Sequence, residues 1–245
     1  MRSIALASHQ GERFIGEQLD SMLPQLAAED EVVISDDAST DGTLEIVAAR
    51  ADARVRVLQH RSRVGYVANF QRALDACRGD DIYFADQDDV WMPDKVATIS
   101  AALRRRSLVA SDAIVVNEQL EPLHDSWFAL RGATSFEAWP VYLKPSIIGA
   151  TMACRRAWLQ SRLPLPSGVP HDFWLSLNAI LDDTLEVIPR PLILYRRHGE
   201  AHSVSATDQR RQPAIILAER LRLAAALLRH RLRQKRRTRR LADGL

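Results

Sequence analysis

A buried strand and an acidic turn meet in the stretch Val32-Val33-Ile34-Ser35-Asp36-Asp37-Ala38-Ser39-Thr40-Asp41-Gly42-Thr43. A short apolar run that is closed by turn residues is typical of a strand buried on both faces of a sheet. The same arrangement recurs in Ile82-Tyr83-Phe84-Ala85-Asp86-Gln87-Asp88-Asp89-Val90-Trp91. The two stretches therefore predict two buried strands that carry acidic side chains at their carboxyl ends.

Outward from these stretches, strand-like and helix-like segments alternate. Strands are predicted at 3–8, 31–35, 55–58 and 81–85, and helices at 11–23, from Thr43, at 65–77 and after Pro93. This alternation predicts an α/β fold with a mostly parallel central sheet flanked by helices, in which ligands bind at the carboxyl ends of the strands. Two further strands are predicted at 184–189 and 192–197, whereas 108–170 is less periodic.

Charge is distributed unevenly along the 245 residues. The whole chain has 33 Lys+Arg and 31 Asp+Glu, but from Arg210 onward there are 12 Lys+Arg and only two acids. We therefore divide the chain into an acidic domain, residues 1–209, and a basic tail, residues 210–245. Cys77 and Cys154 are too few for a disulfide framework or a Cys-rich metal site. Neither a signal peptide nor a long apolar run is evident, so we expect a cytoplasmic protein.

The acidic turns are candidates for a metal site. Clustered carboxylates repel each other unless a cation or hydrogen-bond donors compensate them. The pair Asp86-x-Asp88 offers hard oxygens that suit Mg²⁺ or Mn²⁺ held jointly with substrate phosphates. Capping of the next helix is the alternative; we expect it for Asp41, but it needs only one carboxylate. An EF-hand is excluded because Ala48 occupies the position of the bidentate Glu, and the Gly-rich phosphate loops are absent.

Taken in order, several motifs resemble the inverting family 2 glycosyltransferases of the GT-A fold. The string Asp86-Gln87-Asp88-Asp89-Val90-Trp91, with Pro93 and Lys95 after it, is similar to the rhamnosyltransferase-like branch. The other matching segments are Ser8-His9-Gln10-Gly11-Glu12, the stretch 33–43, Asn69-Phe70, the segment 149–154, His171-Asp172-Phe173-Trp174 and Tyr195-Arg196-Arg197-His198-Gly199. The chain departs from the usual pattern at Ser8-His9-Gln10, at Arg63 and at Ala201-His202, which leaves the donor sugar open.

The resemblance implies a metal-dependent enzyme that transfers a sugar to a hydroxyl of a saccharide acceptor in bacterial surface polysaccharide synthesis (lipopolysaccharide, capsule or exopolysaccharide). The donor would be a nucleoside-diphosphate sugar, either dTDP-rhamnose or a UDP-sugar. In this comparison Asp36 contacts the base and Asp86 holds the ribose or a metal-bound water. Four residues line the nucleotide pocket: Ala7, Ser8, Gln10 and Glu12.

The resemblance also implies roles for residues near the end of the catalytic domain. Asp88 and His198 would bind Mn²⁺ or Mg²⁺, although a lone His is also a common structural residue. Asp172 would be the catalytic base, and its alternative role is to cap the helix that begins at Phe173. Trp174 would stack on the acceptor sugar or belong to the core. Other functional classes that remain open are a nucleotidyltransferase and a non-catalytic sugar-binding or scaffold protein.

The basic tail predicts an amphipathic helix from Pro213. Its apolar stripe is Leu217, Leu221, Ala224, Leu228 and Leu232, and its basic face is Arg222, Arg229, Arg233, Arg236, Arg237 and Arg240. The pattern favours an interfacial helix on anionic lipid, which would place the enzyme at the inner face of the cell membrane, near a lipid-linked acceptor. A helix packed on its own domain is the alternative. Nucleic acid is not an expected partner, because aromatic residues do not interleave with the arginines.

Overall fold

The computed structural model describes residues 1–198 and 213–243. Gly199, Ala201 and His202 of the motifs above lie outside this range, as do the side chains of Arg237 and Arg240. The strands are β1 (Arg2–Ser8), β2 (Glu31–Asp36), β3 (Val55–Gln59), β4 (Asp81–Asp86), β5 (Val90–Trp91), β6 (Leu108–Val116), β7 (Pro122–His124), β8 (Met152–Arg155) and β9 (Leu185–Arg196). The helices are α1 (Ile15–Met22), α2 (Thr43–Ala49), α3 (Tyr66–Ala76), α4 (Lys95–Leu103), α5 (Trp127–Arg131), α6 (Ala138–Leu143), α7 (Arg156–Gln160), α8 (His171–Leu181) and α9 (Pro213–Asp243).

The described strands form one sheet in the order β3-β2-β1-β4-β8-β6-β9-β5, with β7 paired to β6. Strand β1 runs parallel to β2 and β4, and β6 runs parallel to β9. Strand β8 lies antiparallel between β4 and β6. Because β4 pairs antiparallel with β8, and β8 pairs antiparallel with β6, strands β4 and β6 run in the same direction. The carboxyl ends of β1, β2, β4, β6 and β9 therefore lie at one edge of the sheet.

Helices cover both faces of the sheet, as the alternation predicts. On one face, α1 and α4 bury Ile15, Leu19 and Ile99 against the strands. On the other face, α3 and α8 bury Phe70 and Leu175. Each such side chain stabilises the fold by about 1.5–3 kcal/mol relative to its exposed state, so the two layers hold the sheet edge in place.

The prediction of two late strands is wrong, because 185–196 forms the single strand β9. Its pairing with β6 is interrupted: Ser111 lies opposite Ile188, whereas the next residue, Asp112, lies opposite Pro191. Pro189 and Pro191 have no N–H to donate to the ladder, which favours an irregular register at this point. The prolines therefore mark a break in the hydrogen-bond ladder, but the strand continues through it.

Helix α9 packs on the domain, but not through the predicted apolar stripe. Its buried side chains are Leu223 and Ala226, and the His230 ring meets the edge of Trp174 at 5.5 Å. Arg231 Nη1 lies 2.6 Å from Asp182 Oδ1. The predicted stripe of Leu217, Leu221, Ala224, Leu228 and Leu232 is exposed. Within residues 1–198 and 213–243, no helix combines the length and apolar character needed to cross a membrane.

Candidate active site

The sheet topology brings most of the predicted site residues to one edge. Asp86, the last residue of β4, lies beside Ala7 of β1 in the parallel register. Ser8 lies beside Asp36 at the ends of β1 and β2. Because these strands are parallel neighbours, their final side chains converge although 28 or more positions separate them in the chain. The predicted nucleotide-pocket residues therefore share one surface.

The Asp36 carboxylate is completely buried beneath this surface. Its Oδ2 accepts hydrogen bonds from Ser8 Oγ at 2.8 Å and Ser39 Oγ at 2.6 Å, and its Oδ1 accepts from the Ser39 N–H at 2.8 Å. A carboxylate has about four acceptor positions, so one on Oδ1 remains. Because the carboxylate is completely buried, a nucleobase would reach it only after the Ser39 loop moves aside.

Gln10 and Glu12 join the loop after β1 to the loop after β2. Gln10 Oε1 accepts the Thr40 N–H at 2.7 Å, and Glu12 Oε2 accepts the Gly42 N–H at 2.8 Å. Asp41 stands just before α2, where its Oδ1 accepts the Thr43 N–H at 3.2 Å. These contacts give the three polar side chains a structural role in shaping the pocket wall.

Gln87 is a further contributor to the site, although its place within a motif predicts no separate role for it. Its side chain forms two hydrogen bonds with the His9 backbone: Oε1 accepts the N–H at 2.7 Å, and Nε2 donates to the carbonyl at 2.9 Å. A Cβ on Gly11 would lie 2.5 Å from Gln87 Oε1, so glycine is needed there for this close approach. The two hydrogen bonds between Gln87 and the His9 backbone fix the distance between the loops that follow β1 and β4.

Three carboxylates stand at the end of β4 and in the loop that follows it; Asp86 and Asp88 face the candidate site, and Asp89 does not. Burial, and then the charges of Asp88 and Asp172, raise the pKa of Asp86 to about 7. The start of α8, which carries Asp172, lies beside β4, since the ring of the neighbouring His171 stacks on Phe84 of β4 at 5.6 Å. Asp89 points into the protein, where its Oδ1 accepts the Arg196 N–H at 3.0 Å and burial raises its pKa well above the usual range. Because the Asp89 side chain points into the protein, a metal site that uses all three carboxylates is ruled out.

Lys95 supplies a buried positive charge below the acidic loop. Its Nζ donates to the Ala150 carbonyl at 2.6 Å and lies 4.0 Å from the centre of the Trp91 ring. Burial lowers the pKa of the Lys95 ammonium to about 7, against the opposing effect of Asp89 and Asp86. The lysine thus partly compensates the carboxylates that the sequence clusters after β4.

Asp88 meets His198 at the same edge, with Asp88 Oδ2 2.9 Å from His198 Nε2. Two ligand atoms about 2.1 Å from a metal, at neighbouring corners of an octahedron, lie about 3 Å apart, so this pair fits a shared Mn²⁺ or Mg²⁺. Within 1–198 and 213–243, no group of three or more His, Cys, Asp or Glu side chains could hold a metal. Two protein ligands are enough where substrate phosphates and water complete the coordination.

Arg196 connects the elements that carry Asp88 and His198, a role that the sequence does not predict. Its guanidinium is almost fully buried and donates to the Asp88 carbonyl at 2.7 Å, to Glu17 Oε2 at 2.5 Å and to the Glu118 carbonyl. It also lies over the Phe14 ring, which in turn contacts the His198 ring at 4.8 Å. Its position two residues before His198 in the same motif was the available signal.

Asp172 occupies the first turn of α8, and its Oδ1 accepts the Phe173 N–H at 2.7 Å. The neighbouring His171 is buried between Phe70 and Phe84, with ring centroids at 4.3 and 5.6 Å. Neither ring nitrogen has a hydrogen-bond partner among the described residues, and burial lowers the pKa of His171. Trp174 lies in the core, where its Nε1 donates to the Arg162 carbonyl, so it is not available to stack on a sugar.

Comparison with known proteins gives relatives of greater length. An uncharacterized protein of Mycobacterium tuberculosis, Rv1520, is 28% identical over 227 residues, which are 86% of this chain and 62% of that protein. A dTDP-rhamnosyl transferase of Shigella flexneri, RfbG, is 36% identical over 37% of this chain and 34% of its own length. The Escherichia coli UDP-Glc:alpha-D-GlcNAc-diphosphoundecaprenol beta-1,3-glucosyltransferase WfgD is 32% identical over 38% of this chain and 37% of its own length.

Solved structures show the same fold at low sequence identity. The Staphylococcus aureus protein TarS in complex with UDP-GlcNAc has a TM-score of 0.73 at 19% identity, covering 93% of this chain and 66% of that chain. The mannosyltransferase PcManGT from Pyrobaculum calidifontis, in complex with GDP-Man and Mn²⁺, has a TM-score of 0.63 at 22% identity, covering 93% and 74%. The predicted GT-A fold is confirmed by these likenesses.

The family model for glycosyl transferase family 2 matches residues 3–163. This span begins in β1 and passes through both acidic stretches, the β4 loop and β8, and it covers well over half of the chain. The chain belongs to glycosyl transferase family 2.

Proposed function

We propose that the chain is an inverting, metal-dependent glycosyltransferase. It moves a sugar from a nucleoside-diphosphate sugar to a hydroxyl of a saccharide acceptor in bacterial surface polysaccharide synthesis. The observation that carries the proposal is the meeting of Asp86, Asp88, Asp172 and His198 at one sheet edge. Carboxylates and an imidazole in this arrangement can serve both a diphosphate-bound metal and a proton transfer.

Asp88 and His198 would hold a divalent metal, Mn²⁺ or Mg²⁺. When bound, such a metal supplies positive charge that stabilises the negative charge of the departing diphosphate. Asp86 lies beside Ala7 of β1 and two residues before Asp88, where it would hold the ribose or a metal-bound water. The structurally similar mannosyltransferase PcManGT binds Mn²⁺ together with GDP-Man, which supports a metal of this type.

Asp172 would act as the catalytic base. The acceptor oxygen forms a bond to the anomeric carbon while the bond from that carbon to the diphosphate oxygen breaks. The electron pair of the broken bond leaves with the diphosphate, and the hydroxyl proton passes to the Asp172 carboxylate. Attack from the face opposite the leaving group inverts the configuration. The place of Asp172 at the start of α8, near Asp86, supports this role.

The nucleotide would occupy the groove between the β1 and β2 loops. Ala7, Ser8, Gln10 and Glu12 line it, and Asp36 would accept the N3–H that uracil and thymine share. Base recognition therefore does not separate UDP-sugars from dTDP-sugars. The S. flexneri relative is named for dTDP-rhamnose, and together with the Asp-Gln-Asp-Asp-Val-Trp string it favours dTDP-rhamnose as the donor.

The acceptor would be carried on a lipid. The E. coli relative is named for a diphosphoundecaprenol-linked acceptor, and the basic tail of this chain suits contact with an anionic membrane surface. Such an arrangement places a cytoplasmic enzyme at the inner face of the membrane, where a lipid-linked saccharide is accessible.

Donor hydrolysis tests the proposal. Release of nucleoside diphosphate from dTDP-rhamnose and UDP-glucose is measured with and without Mn²⁺, for the wild type, for Asp88→Asn and for the control Asp183→Asn, whose side chain is fully exposed. We expect Mn²⁺-dependent release that only Asp88→Asn removes. Formation of a nucleotide sugar and pyrophosphate from dTTP or UTP and a sugar 1-phosphate would indicate a nucleotidyltransferase, and donor binding without any release of nucleoside diphosphate would indicate a sugar-binding protein.

A further inference from the structure

Helix α9 presents three different faces within one element. Leu223 is fully buried and Ala226 nearly so, and both pack on the domain. A second row is apolar but exposed, including Leu221 and Leu228, each 62% exposed. At 3.6 residues per turn this row lies far around the helix from Leu223. The third row is basic and exposed, and it borders the apolar row: Arg222, Arg229, Arg233 and Arg236.

Helix α6 extends the apolar row. Trp139 is 68% exposed and Leu143 58% exposed, and the Trp139 ring stacks on Tyr142 at 5.8 Å. The Tyr142 hydroxyl donates to the Arg220 carbonyl at 3.0 Å, which holds α6 beside α9 between Leu217 and Leu221. Exposed apolar side chains therefore stand within three positions of this hydrogen bond on both helices, Trp139 and Leu143 on α6 and Leu217 and Leu221 on α9.

The chemistry of this surface favours lipid over other partners. A contiguous exposed apolar patch usually marks an interaction site. Tryptophan prefers the boundary between apolar and aqueous phases, and arginine can place its stem on apolar surface while its charge stays in water. A second copy of the chain would bring two basic faces close together, which like-charge repulsion opposes. Nucleic acid would leave the leucines uncovered.

We propose that α6 and α9 together form a docking surface for an anionic lipid membrane. Trp139, Leu143 and the leucine row of α9 enter the headgroup boundary, while the arginines of α9 contact lipid phosphates. The proposal rests on the proposed function for its purpose, since a docked enzyme meets a lipid-linked acceptor. Lipid binding itself is measured without enzyme turnover, so it is tested independently of the proposed activity.

Tryptophan fluorescence gives a direct test because of how the five tryptophans are placed. Trp91, Trp127, Trp158 and Trp174 are all buried, whereas Trp139 is exposed. Vesicles of phosphatidylglycerol containing brominated acyl chains should quench and blue-shift the emission of the full chain. The variant Trp139→Phe should lose this response. A wild type without quenching, or quenching that persists in Trp139→Phe, would overturn the insertion of α6.

Vesicle sedimentation tests the contribution of α9. The double variant Leu221→Gln, Leu228→Gln and the double variant Arg229→Gln, Arg233→Gln are compared with a control, Leu123→Gln, Leu130→Gln, which alters exposed leucines elsewhere. Each arginine near an anionic surface adds to the affinity of the protein for the membrane. Because the arginine variant loses two of them, it should bind vesicles about 30-fold more weakly. The leucine variant should bind at least about tenfold more weakly, and the control should match the wild type.

Two outcomes would overturn the proposal. Equal binding to phosphatidylcholine and phosphatidylglycerol would remove the role of charge. A wild-type dimer in light scattering that Leu221→Gln, Leu228→Gln converts to a monomer would show that a second copy covers the leucines. Donor hydrolysis is measured on the same variants. Retained hydrolysis with lost lipid binding, or the reverse, separates a failure of this proposal from a failure of the proposed function.

Discussion

His198 Nε2 lies 2.9 Å from Asp88 Oδ2, although 110 positions separate the two residues. The contact exists because β4 and β9 run in the same direction, so the segments that follow them leave the sheet at the same edge. Asp88 follows the end of β4, and His198 follows the end of β9. The candidate metal site is thus a product of sheet topology.

Removal of either candidate ligand should weaken metal binding. Asp88→Asn removes a negatively charged oxygen, so we expect Mn²⁺-dependent turnover to be lost while the protein remains folded. His198→Ala should reduce Mn²⁺ affinity, measured by calorimetry in the presence of nucleoside diphosphate. Near-wild-type turnover of Asp88→Asn would remove the metal assignment, and an unchanged Mn²⁺ titration of His198→Ala would leave that residue a structural role.

Asp172→Asn tests the base. The amide keeps the shape and most hydrogen bonds of the carboxylate but cannot take up the acceptor proton at neutral pH. We expect kcat to fall by roughly 10²–10⁴ while the Kd of the donor stays near its wild-type value. If donor binding is lost instead, Asp172 supports the structure of the pocket rather than the chemistry.

Arg196 should affect metal binding through position rather than contact. Arg196→Lys keeps the charge but cannot reach Asp88, Glu17 and Glu118 at once, so the β4 loop should loosen and Mn²⁺ affinity should fall by about tenfold. Arg162→Lys is the matched control, since Arg162 is another buried arginine, ion-paired with Asp182 away from the site. It should lower the free energy of unfolding and leave Mn²⁺ affinity unchanged. Equal effects of the two variants on Mn²⁺ affinity would contradict a positioning role.

His171 should make the folded state sensitive to mild acid. Burial lowers its pKa below the ordinary value of 6.5, so the unfolded chain binds a proton that the folded chain does not. The free energy of unfolding should therefore fall as the pH drops below about 6.5, by up to about 1.4 kcal/mol per pH unit from this group. Urea unfolding at a series of pH values should show a smaller loss for His171→Leu than for the wild type. Parallel curves for the two proteins would show that His171 does not contribute.

Donor preference is testable by calorimetry with the two candidate nucleotide sugars. The motif after β4 and the S. flexneri relative lead us to expect tighter binding of dTDP-rhamnose than of UDP-glucose. If Asp36 accepts the N–H that is common to both bases, as we propose, the difference should arise from the sugar, and dTDP and UDP alone should bind alike. Tight binding of UDP-glucose with none of dTDP-rhamnose would reverse the assignment.

The first half of the fold could be predicted from the sequence because its signals are local. A short run such as Val32-Val33-Ile34 that is closed by turn residues favours a buried strand, and helical spacing such as that of Phe70 and Leu74 indicates one packed face. The acidic turns follow the strands directly, so parallel order alone predicted that Asp36 and Asp86 would meet at one edge. Prolines in β9 misled the prediction, because they break hydrogen bonding without ending the strand.

Tertiary structure decided which members of each sequence cluster face the site. Asp88 and Asp89 are adjacent and chemically identical, but Asp89 points into the interior, where it accepts a hydrogen bond from the Arg196 N–H. Asp88 instead contacts His198. In α9, Leu223 is buried and Leu221 is exposed, although both are leucines of one amphipathic helix. Periodicity specifies that a helix has an apolar face; which leucines are covered depends on where α6 and α8 lie, and those contacts come from residues distant in the chain.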